Sequence, residues 1–149
     1  MAGTMNIATT RFGRLMVDDA DVLTFVDGLI GMEQCRRWVL LADAENAALA
    51  WLQSLDRPEL ALAVVSPQRF VPGYRVRAAR RDIEPLGLEQ PADAQVLAII
   101  SHADGALSLN LKAPLVIHLA ERVGRQIVAR DDHAVQYRLA SPTLMRKTA

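Results

Sequence analysis

The sequence is divided into short apolar segments that recur roughly every ten residues. Polar residues, Gly or Pro separate most of these segments, and none of them is long enough for an extended helix. This spacing is typical of an all-β sandwich or barrel and argues against alternating strands and long helices. The predicted strands lie at residues 22–26, 38–42, 48–53, 60–66, 96–101, 107–111, 115–119 and 126–129.

Turn-forming residues predict how the strands are connected. Residues 7–17 predict a β-hairpin around a turn-like centre at residues 11–14, and residues 102–105 predict a second hairpin loop. Gly124 predicts a turn before the last strand, and only residues 78–88 have a helical pattern, which Pro85 and Gly87 keep short. We therefore predict a mainly β fold, a small antiparallel β-barrel-like single domain with one or two short helices. It spans residues 1–149, with frayed termini at 1–6 and 141–149.

Composition narrows the class of protein. The chain has 149 residues, 51% of them hydrophobic, which is sufficient for a core without cross-links. Its single cysteine, Cys35, cannot form an intrachain disulfide. No apolar run approaches the roughly 18 residues of a transmembrane helix, and residues 1–6 do not resemble a signal peptide. We therefore expect a cytoplasmic protein with no membrane segment.

The formal net charge of zero conceals two unlike halves. Residues 1–60 contain five Arg and nine Asp or Glu, a net charge of −4, whereas residues 61–149 contain twelve Arg or Lys and eight Asp or Glu, a net charge of +4. Because nucleic-acid-binding proteins usually carry an excess of positive charge, the equal numbers of basic and acidic residues in the whole chain argue against direct nucleic-acid binding.

Residues that could carry chemistry are few and scattered. His102 and Asp104 could form an H-x-D metal pair, but their segment has the pattern of a loop tip and no third ligand follows at a recognisable spacing. His118 lies in an apolar strand, which favours a structural histidine, and His133 is expected to be exposed. The sequence places no histidine beside Cys35, which favours a small semi-buried residue over a nucleophile, and no nucleophile-elbow, Walker or dinucleotide motif occurs. We expect neither an enzyme nor a cofactor.

An acidic cluster and an aromatic loop each have two interpretations, one structural and one as a binding surface. Asp18, Asp19 and Asp21 form either a solvated turn or a patch for a basic protein partner. Phe70 and Tyr74 lie in a loop bounded by Pro and Gly, where aromatic side chains either anchor a partner or plug a barrel end.

A basic cluster follows this loop. Arg75, Arg77, Arg80 and Arg81 form either the solvated start of a helix or an anion site. An RNA contact is disfavoured because no aromatic residues are interleaved with the arginines. The competing function is therefore a small barrel that senses an anionic nucleotide through these four arginines.

Five segments in order along residues 7–137 resemble the flagellar assembly factor family FliW. They are TRFG at 10–13, FVDGLIG at 25–31, WLQSLD at 51–56, FVPGY at 70–74 and NLKAPLVI at 110–117. The sequence departs from the family pattern at Val26 and Ile30, where prolines are usual, and at Met32, where an aromatic residue is common.

The resemblance implies a non-catalytic, cytoplasmic, β-barrel-like protein that binds flagellin and, alternately, the translational regulator CsrA, relieving CsrA repression of flagellin mRNA translation. Under this hypothesis Asp18, Asp19 and Asp21 face the basic regulator, and Phe70 and Tyr74 contact one of the two partners. Asn110 and Lys112 match the most recognisable strand end of the family and are further candidate contacts, with a structural role in a turn as the alternative.

Overall fold

A computed structural model describes residues 3–103 and 105–139 of the chain. Within this part the strands are β1 (Thr4–Thr9), β2 (Gly13–Asp18), β3 (Val22–Thr24), β4 (Arg37–Ala42), β5 (Ala50–Ser54), β6 (Ala61–Val65), β7 (Ala94–Ala103), β8 (Ala106–Leu109), β9 (Leu115–His118), β10 (Val123–Gln126) and β11 (Tyr137–Arg138). One short helix, α1 (Arg80–Ile83), lies in the segment predicted as helical. The 3-10 helices are Asp19–Asp21, Pro67–Arg69, Glu84–Leu86 and Pro91–Asp93.

Seven strands close into a barrel in the order β3–β4–β5–β6–β7–β9–β10, because β10 pairs with both β9 and β3. Six of the seven ladders are antiparallel, and the closing ladder between β10 and β3 is parallel. The far end of β7 leaves the barrel and pairs with β8, which in turn pairs with β11. The predicted mainly β, barrel-like fold is thus confirmed.

Both faces of the barrel wall are covered, which explains why the apolar runs in the sequence do not alternate with polar residues. On β5, Leu52 belongs to the interior core, whereas Trp51 belongs to a second core on the outer face. The β1–β2 hairpin contributes to this outer layer, since the Phe12 ring meets the Trp51 ring edge to face at 6.0 Å. The Arg11 guanidinium also lies 4.2 Å from the centre of the Trp51 ring. The hairpin is therefore held on the barrel by aromatic packing.

The N-terminal hairpin is confirmed, and its strands are longer than expected. β1 and β2 pair from Thr4 opposite Asp18 to Thr9 opposite Gly13. The prediction that residues 1–6 fray is therefore wrong for residues 4–6, which belong to the ladder. The tail at 141–149 and Asp104 lie outside the described residues.

Gly124 does not lie in a turn, as the sequence predicts, but inside β10. A Cβ atom at this position would lie 2.6 Å from Cζ of Phe25, whose side chain is fully buried in the barrel. Glycine is required here because another part of the chain approaches the strand closely, a use of glycine that the sequence alone does not distinguish from a turn. The reversal before β10 instead contains Arg122, whose φ is 55°.

We predict that Gly124→Ala destabilises the fold by about 1–3 kcal/mol, the usual cost of inserting a methyl group into a packed core. Urea unfolding followed by tryptophan fluorescence measures this change. Phe25→Leu in the Gly124→Ala background makes room for the new methyl group, so the double variant is expected to lose less stability than the sum of the single variants. Strict additivity would show that the two residues do not interact.

Candidate partner-binding site

The predicted acidic residues lie together at the end of the hairpin. Asp18 is the last residue of β2, and Asp19 and Asp21 belong to the following 3-10 helix; all three are exposed. Oδ2 of Asp19 accepts a hydrogen bond from the Gly3 amide at 3.2 Å, so this carboxylate also binds the backbone that precedes β1. Asp18 and Asp21 present their charges to solvent.

A groove of about 340 Å³ runs beside these acidic residues. Its lining is mainly apolar and comes from β2, the 3-10 helix that follows it, β3, β4 and the turn before β10: Leu15, Met16, Val17, Ala20, Asp21, Leu23, Val39, Leu40, Leu41, Leu119 and Arg122. Met16 is 70% exposed and Leu119 is 46% exposed. No sequence motif predicts this groove, although the three consecutive apolar residues Leu15, Met16 and Val17 are a signal for it, because a strand points alternate side chains to opposite faces.

The two aromatic residues of the loop at 70–74 differ in burial. Tyr74 is 3% exposed, and its hydroxyl donates a hydrogen bond of 2.7 Å to the Leu111 carbonyl oxygen. Burial of this ring favours a structural role for Tyr74 over the predicted partner contact. Phe70 packs against the same outer core but remains half-buried, and its role as a contact stays a prediction.

Asn110 and Lys112 both bind nearby backbone. Oδ1 of Asn110 accepts a hydrogen bond from the Ala113 amide at 3.0 Å, and Nζ of Lys112 donates to the Asp131 carbonyl oxygen at 2.7 Å. These bonds support the structural alternative considered for both residues. A contact with a partner stays a prediction for each of them.

The four candidate arginines do not converge on one pocket. Arg75 lines a cavity of about 780 Å³, whereas Arg80 and Arg81 line a separate depression of about 520 Å³ together with Arg130. Arg77 lines neither cavity, and its amide donates to the Asp131 carboxylate. Recognition of an anionic nucleotide would require these side chains to face one ligand, and this arrangement does not supply that geometry.

The remaining candidate residues are dispersed. Nδ1 of His118 lies 2.9 Å from the Leu86 carbonyl oxygen, and Nε2 of His133 lies 2.7 Å from that of Arg75. Cys35 is buried in the barrel interior, while His102 is exposed on β7. Among residues 3–103 and 105–139, no group of three or more His, Cys, Asp or Glu side chains could hold a metal ion. The same part of the chain has no helix long and apolar enough to cross a membrane.

The loop between β3 and β4 contains the three residues that depart from the family pattern. Val26 and Ile30 are 62% and 56% exposed, whereas Met32 packs against the interior core. Arg125, which belongs to no recognisable motif in the sequence, binds this loop through Asp27 at 2.7 Å and donates to the Asp82 carbonyl oxygen at 2.9 Å. These two contacts of Arg125 connect β10 to the loop and to α1.

We predict that Tyr74→Phe destabilises the protein by about 1–2 kcal/mol, because the buried Leu111 carbonyl loses its hydrogen-bond donor. Tyr137→Phe is the matched control, since Tyr137 is 37% exposed and its substitution should change stability little. Chemical unfolding of both variants beside the unsubstituted protein measures the difference.

The effect of Tyr74→Phe should also depend on pH. Burial, followed by the negative charge of Asp131, raises the pKa of Tyr74 from 10.0 to about 12. The stabilisation from a neutral Tyr74 is therefore complete below about pH 10 and is lost as the pH rises towards 12. The stability gap between the protein and its Tyr74→Phe variant should narrow above pH 10, and a gap that widens there would contradict this assignment.

Comparison with known proteins identifies the family. The sequence model of the family described as FliW protein matches residues 6–140. The flagellar assembly factor FliW of Bdellovibrio bacteriovorus is 37% identical over 131 residues, covering 87% of this chain and 75% of that protein. The flagellar assembly factor FliW of Syntrophotalea carbinolica is 33% identical over 134 residues, covering 89% of this chain and 94% of that protein.

A solved structure agrees with these sequence relatives. A crystal structure of the flagellar assembly factor FliW superposes with a TM-score of 0.82 and 26% sequence identity, covering 90% of this chain and 96% of that chain. This chain therefore belongs to the FliW family of flagellar assembly factors.

Proposed function

We propose that this protein is a non-catalytic regulator of flagellar assembly that binds flagellin and, alternately, the translational regulator CsrA. Membership of the FliW family over residues 6–140 is the observation that carries this proposal. The described surface is compatible with this proposal. The apolar groove lies beside an acidic rim formed by Asp18, Asp19 and Asp21, and such a surface suits a protein partner. The proposal includes a cytoplasmic location, because flagellin mRNA is translated there.

In the proposed mechanism the protein acts by changing partners. While flagellin accumulates, it occupies the protein; once flagellin is secreted, the free protein captures CsrA and relieves the repression of flagellin mRNA translation. Such exchange requires a rigid scaffold whose two binding events are negatively coupled, and the coupling must be equal in both directions. No catalytic group is needed for any of these steps.

Purified flagellin and CsrA from the same bacterium provide the direct test. Titration calorimetry should detect binding of each partner, and each should weaken the binding of the other by the same factor. Binding of neither partner would disprove the proposal. Binding of both without any mutual effect would disprove the exchange mechanism.

The acidic rim gives a further prediction within this proposal. Reversing two exposed charges in Asp18→Lys/Asp21→Lys should slow association with basic CsrA by about tenfold at low salt, because charge complementarity mainly accelerates encounter. The association rate should also become less sensitive to ionic strength than that of the unsubstituted protein. Stopped-flow kinetics at two salt concentrations measure both effects.

The control for this experiment carries the same change in net charge at another place. Glu89→Lys/Asp132→Lys reverses two exposed carboxylates far from the hairpin in sequence. If the effect is local to the acidic rim, this control should retain most of the original association rate. Equal slowing by both double variants would show that only the overall charge matters.

A further inference from the structure

The β2 strand has one edge that no described strand covers. β1 and β2 form a two-stranded sheet of their own, separate from the barrel sheet. At the end of their ladder the Asp19 amide donates to the Gly3 carbonyl oxygen at 2.9 Å, which sets the alternation of backbone groups along β2. Because backbone direction alternates along a strand, Arg14, Met16 and Asp18 point their N–H and C=O groups away from β1.

The groove described above follows this free edge. Three consecutive residues of β2, Leu15, Met16 and Val17, line it, although successive side chains of a strand point to opposite faces. A groove lined by both faces of a strand runs along the edge of that strand. Val39, Leu40 and Leu41 of β4 line the same groove, so an apolar barrel wall lies beside the unpaired backbone groups.

The charges around the groove indicate what would occupy it. Asp18, Asp19 and Asp21 lie at the end where β2 runs into the 3-10 helix, and all are exposed. This end is complementary to Lys or Arg in a partner. Leu119 and Arg122 also line the groove, so the space beside β2 is bounded. A second copy of this chain therefore fits less well than a single extended segment, because its β2 would bring β1 with it as a second strand.

We propose that the free edge of β2 is a strand-addition site, at which an extended segment of a protein partner pairs with Arg14, Met16 and Asp18. Alternate side chains of the segment enter the apolar groove, and its Lys or Arg residues face Asp18, Asp19 and Asp21. Main-chain hydrogen bonds supply affinity in this mode of recognition, and the groove supplies specificity. The inference rests on the proposed function, in which the basic partner is CsrA.

A proline at position 16 tests the main-chain pairing. Met16→Pro removes the N–H group that points to the partner but no hydrogen bond between β1 and β2, and proline is tolerated at such an edge position. Asn6→Pro is a matched control, because Asn6 is the register partner of Met16 and points its N–H group away from β2, out of the opposite edge of the hairpin. Met16→Thr is a second control that keeps the N–H group and removes the methionine side chain.

Each variant is titrated with purified CsrA, after circular dichroism and thermal unfolding have shown that it folds. We expect Met16→Pro to raise the Kd at least about tenfold, Asn6→Pro to leave it within about threefold, and Met16→Thr to have a smaller effect than Met16→Pro. Hydrogen exchange on the unsubstituted protein gives an independent measurement, which remains available if a proline variant fails to fold. The Arg14, Met16 and Asp18 amides should become protected when CsrA binds.

The other outcomes separate the two proposals. Suppose that the unsubstituted protein binds CsrA, that Met16→Pro leaves the Kd unchanged and that the β2 amides gain no exchange protection. The strand-addition site is then wrong, while the proposed function stands. If Met16→Thr weakens binding as much as Met16→Pro, the groove holds a side-chain contact such as a helix, and strand addition is wrong. A dimer in light scattering that Met16→Pro dissociates would assign the edge to a second copy. If the unsubstituted protein binds neither CsrA nor flagellin, both proposals fail.

Discussion

The contact between Phe25 and Gly124 is the constraint on which the rest of the structure depends, because it lies where the barrel closes. The closing ladder is short and parallel: Val123 pairs with Thr24, and the Thr24 amide donates to the Arg122 carbonyl oxygen at 2.9 Å. The Phe25 ring fills the interior directly behind this ladder and requires a strand without a side chain on that side. Closure of the barrel encloses the interior core and leaves the sheet without an open edge at this point.

The outer layer depends on this closed wall and carries the surfaces proposed for partners. Trp51 on the outside of β5 holds the β1–β2 hairpin through Phe12 and Arg11. The hairpin in turn presents the exposed Asp18 and the free edge of β2 beside an apolar wall. A closed barrel that displays a strand edge and a groove is suited to binding other proteins without rearrangement of its core.

The sequence predicted the β-barrel class, the N-terminal hairpin and most strands because these depend on local hydrophobic patterning and turn residues. It failed at Gly124, since a glycine chosen to accommodate a distant ring has the same local pattern as a glycine in a turn. The candidate site was predicted only in part. The acidic residues are exposed as expected, whereas Tyr74 is buried by contacts with residues far away in the chain, including its hydrogen bond to Leu111.

The sequence by itself determined the family and the fold class, since both are encoded in ordered local segments that span most of the chain. Only the tertiary structure decided which residues are accessible and which strand edges are free. Burial and pairing are sums over contacts between distant segments, such as the Leu15 and Leu41 sides of the groove, and no local pattern contains them. For this reason only the folded structure shows that a groove and the free edge of β2 lie beside the acidic residues.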